Sequence, residues 1–300
     1  MKKLLFLSII LFAGCHEDNV VIDPVDVEVE NLKVTFQYKT IEGVNEKLLS
    51  LDVYYNSETE VKKPVIIYVH GGSWVTGDKN QNFENKINLF RSLNYILVSV
   101  NYRLSPSPYE ISNPERIKYP MHNIDIADAI KSVYDHIGEY GGDKNKMALL
   151  GHSAGAQIVA LAGTDKRFLE DVGLSLAVLK GVASFDTAGY DVAYQAIGGA
   201  NPEMYKNAFG TDVDVQMEAS PINNVDNTTT YPKFFIAKRG SVRRIGYADD
   251  FIAAMVENGI DVSQVEASIY DHAGINKAIG KAGETLVTDP LGAFFEACFE

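Results

Sequence analysis

The sequence predicts an α/β protein: a mostly parallel sheet of about eight strands with helices on both faces. Three observations predict it. From residue 64 onward, strand-like apolar runs alternate with segments of helical period, the order that makes parallel strands joined by crossover helices. Runs such as Pro64-Val-Ile-Ile-Tyr-Val-His70 are almost continuously apolar, as strands buried on both faces are. Two earlier segments, Leu32 to Tyr38 and Leu48 to Tyr55, alternate apolar and polar residues instead, which reads as an antiparallel pair at a sheet edge.

The elements follow in order. After the strand at 64–70, Asn80 to Leu93 has helical spacing with Phe83, Ile87 and Phe90 on one side. Tyr95 to Val100 is a buried strand. A helix runs from Pro120 to about Gly138, with Ile124, Ala127, Ile130 and Val133 placed inward. Lys146 to Leu150 is a strand, Ala154 to Ala162 a helix and Lys180 to Phe185 a strand. Gly189 to Thr230 has no clear period and reads as a small cap-like insertion over the site. Strands at Lys233–Ala237 and Val265–Tyr270 bracket a helix at Tyr247–Asn258, and Pro290 to Phe299 closes the chain.

Composition sets the class. Of 300 residues, 46% are hydrophobic and 22% charged, ordinary for a globular chain. The formal net charge is −13, which repels phosphate backbones and argues against a nucleic-acid partner. The N-terminus reads as an address. Met1-Lys2-Lys3 is a positive start, Leu4 to Phe12 an apolar run too short to span a bilayer, and Ala13-Gly14-Cys15 follows. This resembles a bacterial lipoprotein signal, which implies cleavage before Cys15, a lipid anchor there and a place in the cell envelope, with plain secretion as the alternative. Residues 16–30 are acidic and aperiodic, a tether, and residues 31–300 form one domain. Cys298 is expected as a free thiol. No cysteine or histidine cluster has metal-ligand spacing, so neither metal nor cofactor is expected.

Gly151-His152-Ser153-Ala154-Gly155 fits Gly-x-Ser-x-Gly between an apolar strand and a small-residue helix. A serine hydroxyl is a weak nucleophile unless held exposed beside a base, and a sharp strand-to-helix turn flanked by small residues does this. His70-Gly71-Gly72-Ser73-Trp74 ends a buried strand. Its glycines let backbone amides approach an oxygen on which charge develops, so Gly71, Gly72 and Ala154 are the candidate oxyanion donors, with His70 shaping the loop. The base should follow the serine in chain order, and of the six histidines His272 alone does. An acid should orient it. The expected Asp is missing after Lys233–Ala237, where the loop Lys238-Arg239-Gly240-Ser241-Val242-Arg243-Arg244 is basic. Asp186, ending the preceding strand, is the first candidate, with Asp249, Asp250 and Asp191 as alternatives. Arg243 and Arg244 could bind an anionic group or simply face solvent.

Together these residues resemble the esterase and lipase branch of the α/β hydrolases, which includes hormone-sensitive-lipase-like and kynurenine-formamidase-like enzymes. The likeness runs from about residue 48 to 275 and adds Gly77-Asp78-Lys79, Asn101-Tyr-Arg-Leu-Ser-Pro106 and Asp125 to the motifs above. It implies an α/β-hydrolase fold and a cofactor-free carboxylic ester hydrolase, with Tyr102, Arg103 and Asp125 mainly structural. The substrates it suggests are small acyl esters, including acetyl or feruloyl esters on carbohydrates. An amidase of the arylformamidase type and a non-catalytic binding protein are the alternatives.

Overall fold

The computed structural model describes residues 31–300 apart from 57–60 and 82; the signal-like segment and the tether lie outside the described residues. Among the described residues eight strands form one sheet: β1 (Asn31–Gln37), β2 (Ser50–Asn56), β3 (Lys63–Val69), β4 (Ile96–Val100), β5 (Gly142–His152), β6 (Leu179–Phe185), β7 (Lys233–Lys238) and β8 (Val262–Glu266). Their order is β1-β2-β4-β3-β5-β6-β7-β8. The β1–β2 and β2–β4 pairs are antiparallel, and every pair from β4 to β8 is parallel. This is the expected mixed architecture, with the alternating segments at the edge.

Among the described residues ten α-helices accompany the sheet: α1 (Glu84–Ser92), α2 (Met121–His136), α3 (Ala154–Thr164), α4 (Arg167–Glu170), α5 (Val192–Gly198), α6 (Pro202–Phe209), α7 (Val213–Glu218), α8 (Val242–Glu257), α9 (His272–Ala278) and α10 (Thr288–Phe299). The period-2 geometry of β3 divides its apolar run between two cores. Val65, Ile67 and Val69 face Ile130, Ile158 and Phe251. Ile66 and Tyr68 face Phe90, Phe294 and Phe295 on the other side. Each such buried side chain contributes roughly 1.5–3 kcal/mol, which is why the central strands must be apolar throughout.

Topology positions the site. The chain steps from β3 outward to β4, then crosses back to β5 and continues through β6, β7 and β8. The order reverses between β3 and β5, and in open parallel sheets such a reversal leaves a crevice at the carboxyl ends of the strands. The His70 turn and Ser153 sit at the ends of those two strands.

Four expectations need correction. Ile124 is 36% exposed; the inner face of α2 is carried by Ile126, Ala127, Ile130 and Val133. The helix placed at Tyr247–Asn258 starts at Val242, because the Ser241 side chain caps it at the Arg244 amide. The last strand ends at Glu266, where Ala267 N–H donates to Lys238 O. The chain then leaves the sheet and enters α9, capped by Asp271, so the alternation through Ile269 is not strand pairing. Finally, the aperiodic insertion holds α5, α6 and α7, of 7, 8 and 6 residues, each too short for a helical period to show over a window.

Candidate active site

The nucleophile candidate sits where β5 turns into α3. Ser153 has φ 58° and ψ −117°, a conformation a non-glycine residue adopts only under constraint. The flanking glycines explain how the turn is possible. A Cβ on Gly151 would lie 2.3 Å from Gly155 O, and one on Gly155 2.2 Å from Val69 O, so any side chain at either place would collide with backbone. Ser153 N–H donates to Phe185 O (2.9 Å), and Asp186 N–H to Ala237 O (2.8 Å). These bonds tie the ends of β5, β6 and β7 into one rigid rim.

On that rim three side chains meet. His272 Nε2 lies 2.8 Å from Ser153 Oγ, and His272 Nδ1 lies 2.6 Å from Asp186 Oδ2. His272 opens α9, and its side chain is 47% exposed while that of Asp186 is 1% exposed. Asp186 is therefore sealed below, with His272 open to the cavity. Asp186 itself sits at φ 51°. Burial alone would raise its pKa, but the hydrogen bond from His272 and the positive charge of Arg244 outweigh burial and hold the carboxyl below its ordinary value.

Two arginines complete the environment of the acid. Arg244 Nε donates to Asp186 Oδ1 (2.7 Å) and its Nη2 to Asp186 O (3.0 Å). Arg239 Nη1 donates to Asp186 Oδ2 (3.2 Å) while its Nε holds Tyr270 O (3.1 Å). The basic loop that stands where an aspartate was expected thus wraps the carboxylate on the neighbouring strand. Asp249 pairs instead with Lys238, Asp191 caps α5 through Tyr194 N–H, and Asp250 is exposed. Of the four candidate acids, Asp186 is the one that meets His272.

Beneath the base lies a residue that the motif alone did not single out. His152 is buried, and its Nε2–H donates to His272 O (2.8 Å) while the two rings pack 4.7 Å apart. Burial, then the neighbouring His272, lowers its pKa to about 3. His152, Asp186 and His272 together offer ligand atoms within 4.8 Å of one another, but both ring nitrogens of His272 already have hydrogen-bond partners in Asp186 and Ser153.

The glycine turn after β3 faces Ser153. Ser73 and Trp74 have φ 56° and 61°, a left-handed pair that turns successive amides the same way. Among the described residues the N–H groups of Gly71, Gly72, Ser73 and Ala154 donate to no protein acceptor. Gly71 backs directly onto Ser153, whereas Ser73 and Ala154 line the cavity with it. Ser73 was not singled out by sequence, since the glycines beside it drew the reading. Trp74 anchors the turn: its Nε1–H donates to Gln157 (3.3 Å), whose amide donates to Ala219 O (3.0 Å), and its ring packs on Tyr205 and Phe209. His70 is structural, stacked 4.6 Å from Tyr102, whose hydroxyl donates to His70 O (3.0 Å). Arg103 grips buried Asp125 with two side-chain hydrogen bonds (2.8 and 2.7 Å), again away from the reacting groups.

The cavity, about 290 Å³, also takes Asn201, Met204 and Tyr205 from the insertion. A cavity of similar volume, about 310 Å³, lies at the far end of the sheet among Lys33, Tyr54, Glu84 and Arg91; among the described residues its lining holds no serine beside a histidine, unlike the first.

Strand order, the strained turn at Ser153 and the triad at the strand ends define an α/β-hydrolase. The chain belongs to the BD-FAE family, whose model matches residues 51–240. That match includes Ser153 and Asp186 and stops short of His272. Among known sequences, the chain is similar to a Mycobacterium tuberculosis protein described as "Probable carboxylic ester hydrolase LipM", 34% identical over 123 residues, 39% of this chain and 26% of that protein. The matched part is thus about a quarter of that relative's length. Among solved structures, esterase B from Lactobacillus rhamnosis superposes with a TM-score of 0.72 at 18% identity, covering 89% of this chain and 86% of that one. A carbohydrate esterase from gut microbiota superposes at 0.66 and 16% identity, covering 88% and 96%.

Proposed function

We propose that this protein is a serine carboxylic ester hydrolase acting on small acyl esters. The observation that carries the reading is the unbroken chain Ser153 Oγ–His272 Nε2–His272 Nδ1–Asp186 Oδ2, with links of 2.8 and 2.6 Å. His272 takes the Ser153 proton as the oxygen attacks the ester carbonyl, and later returns it to the leaving alkoxide. Asp186, ionised because its pKa is held low, fixes the ring with Nδ1 protonated and stabilises the imidazolium. Gly71, Gly72 and Ala154, with Ser73 beside them, carry uncommitted amides for the developing oxyanion. Water then enters by the same route and clears the acyl-enzyme.

The substrate class we favour is an acyl ester, acetyl or feruloyl, on a carbohydrate, in keeping with a fold shared with a carbohydrate esterase. For location we propose the cell envelope, with a lipid on Cys15 as the membrane contact. Among the described residues no helix is long and apolar enough to cross a membrane. Cys15→Ala should release the protein from the membrane fraction; unchanged partition would remove the anchor.

The test of the activity is hydrolysis of p-nitrophenyl acetate by the wild type and Ser153→Ala. The variant should lose ~10⁵-fold or more in kcat, by analogy with nucleophile removal in serine proteases. Equal rates would end the proposal.

A further inference from the structure

The two arginines hold more positive charge than Asp186 needs. One buried carboxylate accepts from both, leaving an excess cation beside the nucleophile. Arg244 uses Nε and Nη2 on Asp186, and Arg239 uses Nε on Tyr270 O and Nη1 on Asp186. Among the described residues Arg244 Nη1 and Arg239 Nη2 have no protein partner. Both side chains are partly open, at 30% and 15% exposure, and both line the cavity with Ser153 and His272.

The cavity does not end there. A second hollow shares Ala188, Asn201, Met204, Tyr205 and Arg244 with it and continues to Arg243 and Tyr247. Arg243 lies on hydroxyls and a carbonyl: Tyr247 Oη (2.7 Å), Tyr194 Oη (2.9 Å) and Gly198 O (2.9 Å). No Asp or Glu is among the lining residues of either hollow. In a chain with net charge −13, a continuous groove with three arginines and no lining carboxylate is opposite in sign to the molecule that holds it. A guanidinium with a free Nη edge recognises a carboxylate by charge-assisted hydrogen bonds.

We propose that this groove selects esters that carry a free carboxylate near the scissile bond, such as an acylated uronic acid or an acyloxybenzoate, with Arg244 and Arg239 as the anion contacts and Arg243 as an outer one. The proposal rests on the ester-hydrolase reading above and narrows its substrate. It also gives the basic loop two tasks: the inner guanidinium edges hold the acid, and the outer ones read the substrate.

Matched pairs test it. 4-Acetoxybenzoate and its methyl ester differ by one negative charge on the alcohol side; 4-nitrophenyl butyrate and its ω-carboxylate analogue differ on the acyl side. For at least one pair the anionic member should have the higher kcat/KM, by about tenfold at low salt, which corresponds to one good ionic contact. The preference should shrink as NaCl rises, since the arginines are partly exposed. Arg244→Gln should bring the ratio toward one even if it slows both substrates, because the ratio cancels any general damage to the triad. As a readout independent of turnover, Ser153→Ala should bind 4-acetoxybenzoate more tightly than the methyl ester by calorimetry, and Ser153→Ala/Arg244→Gln should not. Wild-type enzyme that hydrolyses the neutral esters through Ser153 with no preference for either anionic partner would overturn this inference and leave the esterase reading standing. Neutral esters hydrolysed at equal rates by wild type and Ser153→Ala would remove both.

Discussion

The ends of β6 and β7 are neighbours in one parallel sheet, yet they carry opposite charges: Asp186, which meets His272, on the first and Arg239, which meets Asp186, on the second. In the pattern that the sequence resembles, the acid stands after the second. The difference teaches that strand ends are exchangeable platforms. Adjacent strands lie about 4.8 Å apart, a distance that one side chain and a small turn can bridge, so a carboxylate can reach the imidazole from either. The exchange has a consequence, because the position after β7 is basic: Arg239 and Arg244 both bond the Asp186 carboxylate, and the hydrogen bond from His272 with the charge of Arg244 keeps its pKa low.

The comparison breaks most severely if β6 is not the source of the acid. Asp186→Asn should cut kcat by up to ~10⁴, the scale of losing the carboxylate that sets the histidine tautomer; an unchanged kcat would move the acid elsewhere. The role of β7 is sharpened by its arginines. Arg244→Gln leaves a carboxylate of 1% exposure short of its shortest arginine contact and should cost about 2–3 kcal/mol in denaturant unfolding. Arg239→Gln, at 3.2 Å, should cost less. Reversal of that order would contradict the geometry.

Acid probes the same rim more gently. Asp186 has a lowered pKa, so its stabilisation is full above the ordinary carboxylate range and is lost as pH falls through its folded value. Buried His152 and His122 act in the same direction for a different reason. Both are depressed to about 3, largely by burial. Above about 6.5 neither state is protonated; below it the unfolded chain takes up protons that the folded one refuses. Each should therefore subtract up to about 1.4 kcal/mol of stability per pH unit between about 6.5 and 3, read as a falling Tm. A flat Tm from pH 7 to 5 would show that these rings are hydrated. The smallest effect belongs to Asp249→Ala, at the surface beside Lys238: stability should stay within about 0.5 kcal/mol and kcat unchanged. A large loss there would restore β7's side of the sheet as the acid's source.

Much of this was legible in one dimension. Continuous apolar runs specify strands buried on both faces, and the alternation at 32–38 and 48–55 marked the antiparallel edge that β1 and β2 form. Gly151 and Gly155 announced a turn that tolerates no side chain, and chain order left His272 as the one base. These features are local or combinatorial, so sequence suffices for them. The pairing of Asp186 with His272 joins residues 86 positions apart, and the grip of Arg239 and Arg244 on that carboxylate spans 53 and 58 positions. The basic loop was visible, but its target was not, because a charge run reads equally as a solvated face. The short helices of the insertion show no period, and the seating of Tyr205 beside Ser153 depends on its packing against Trp74. The sequence by itself determined which strands and which turn this protein has, and left one histidine after Ser153 in chain order. Only the tertiary structure decided which carboxylate meets His272 and which charged groups line the cavity, because both are set by groups that meet solely when three parallel strand ends are brought onto one rim.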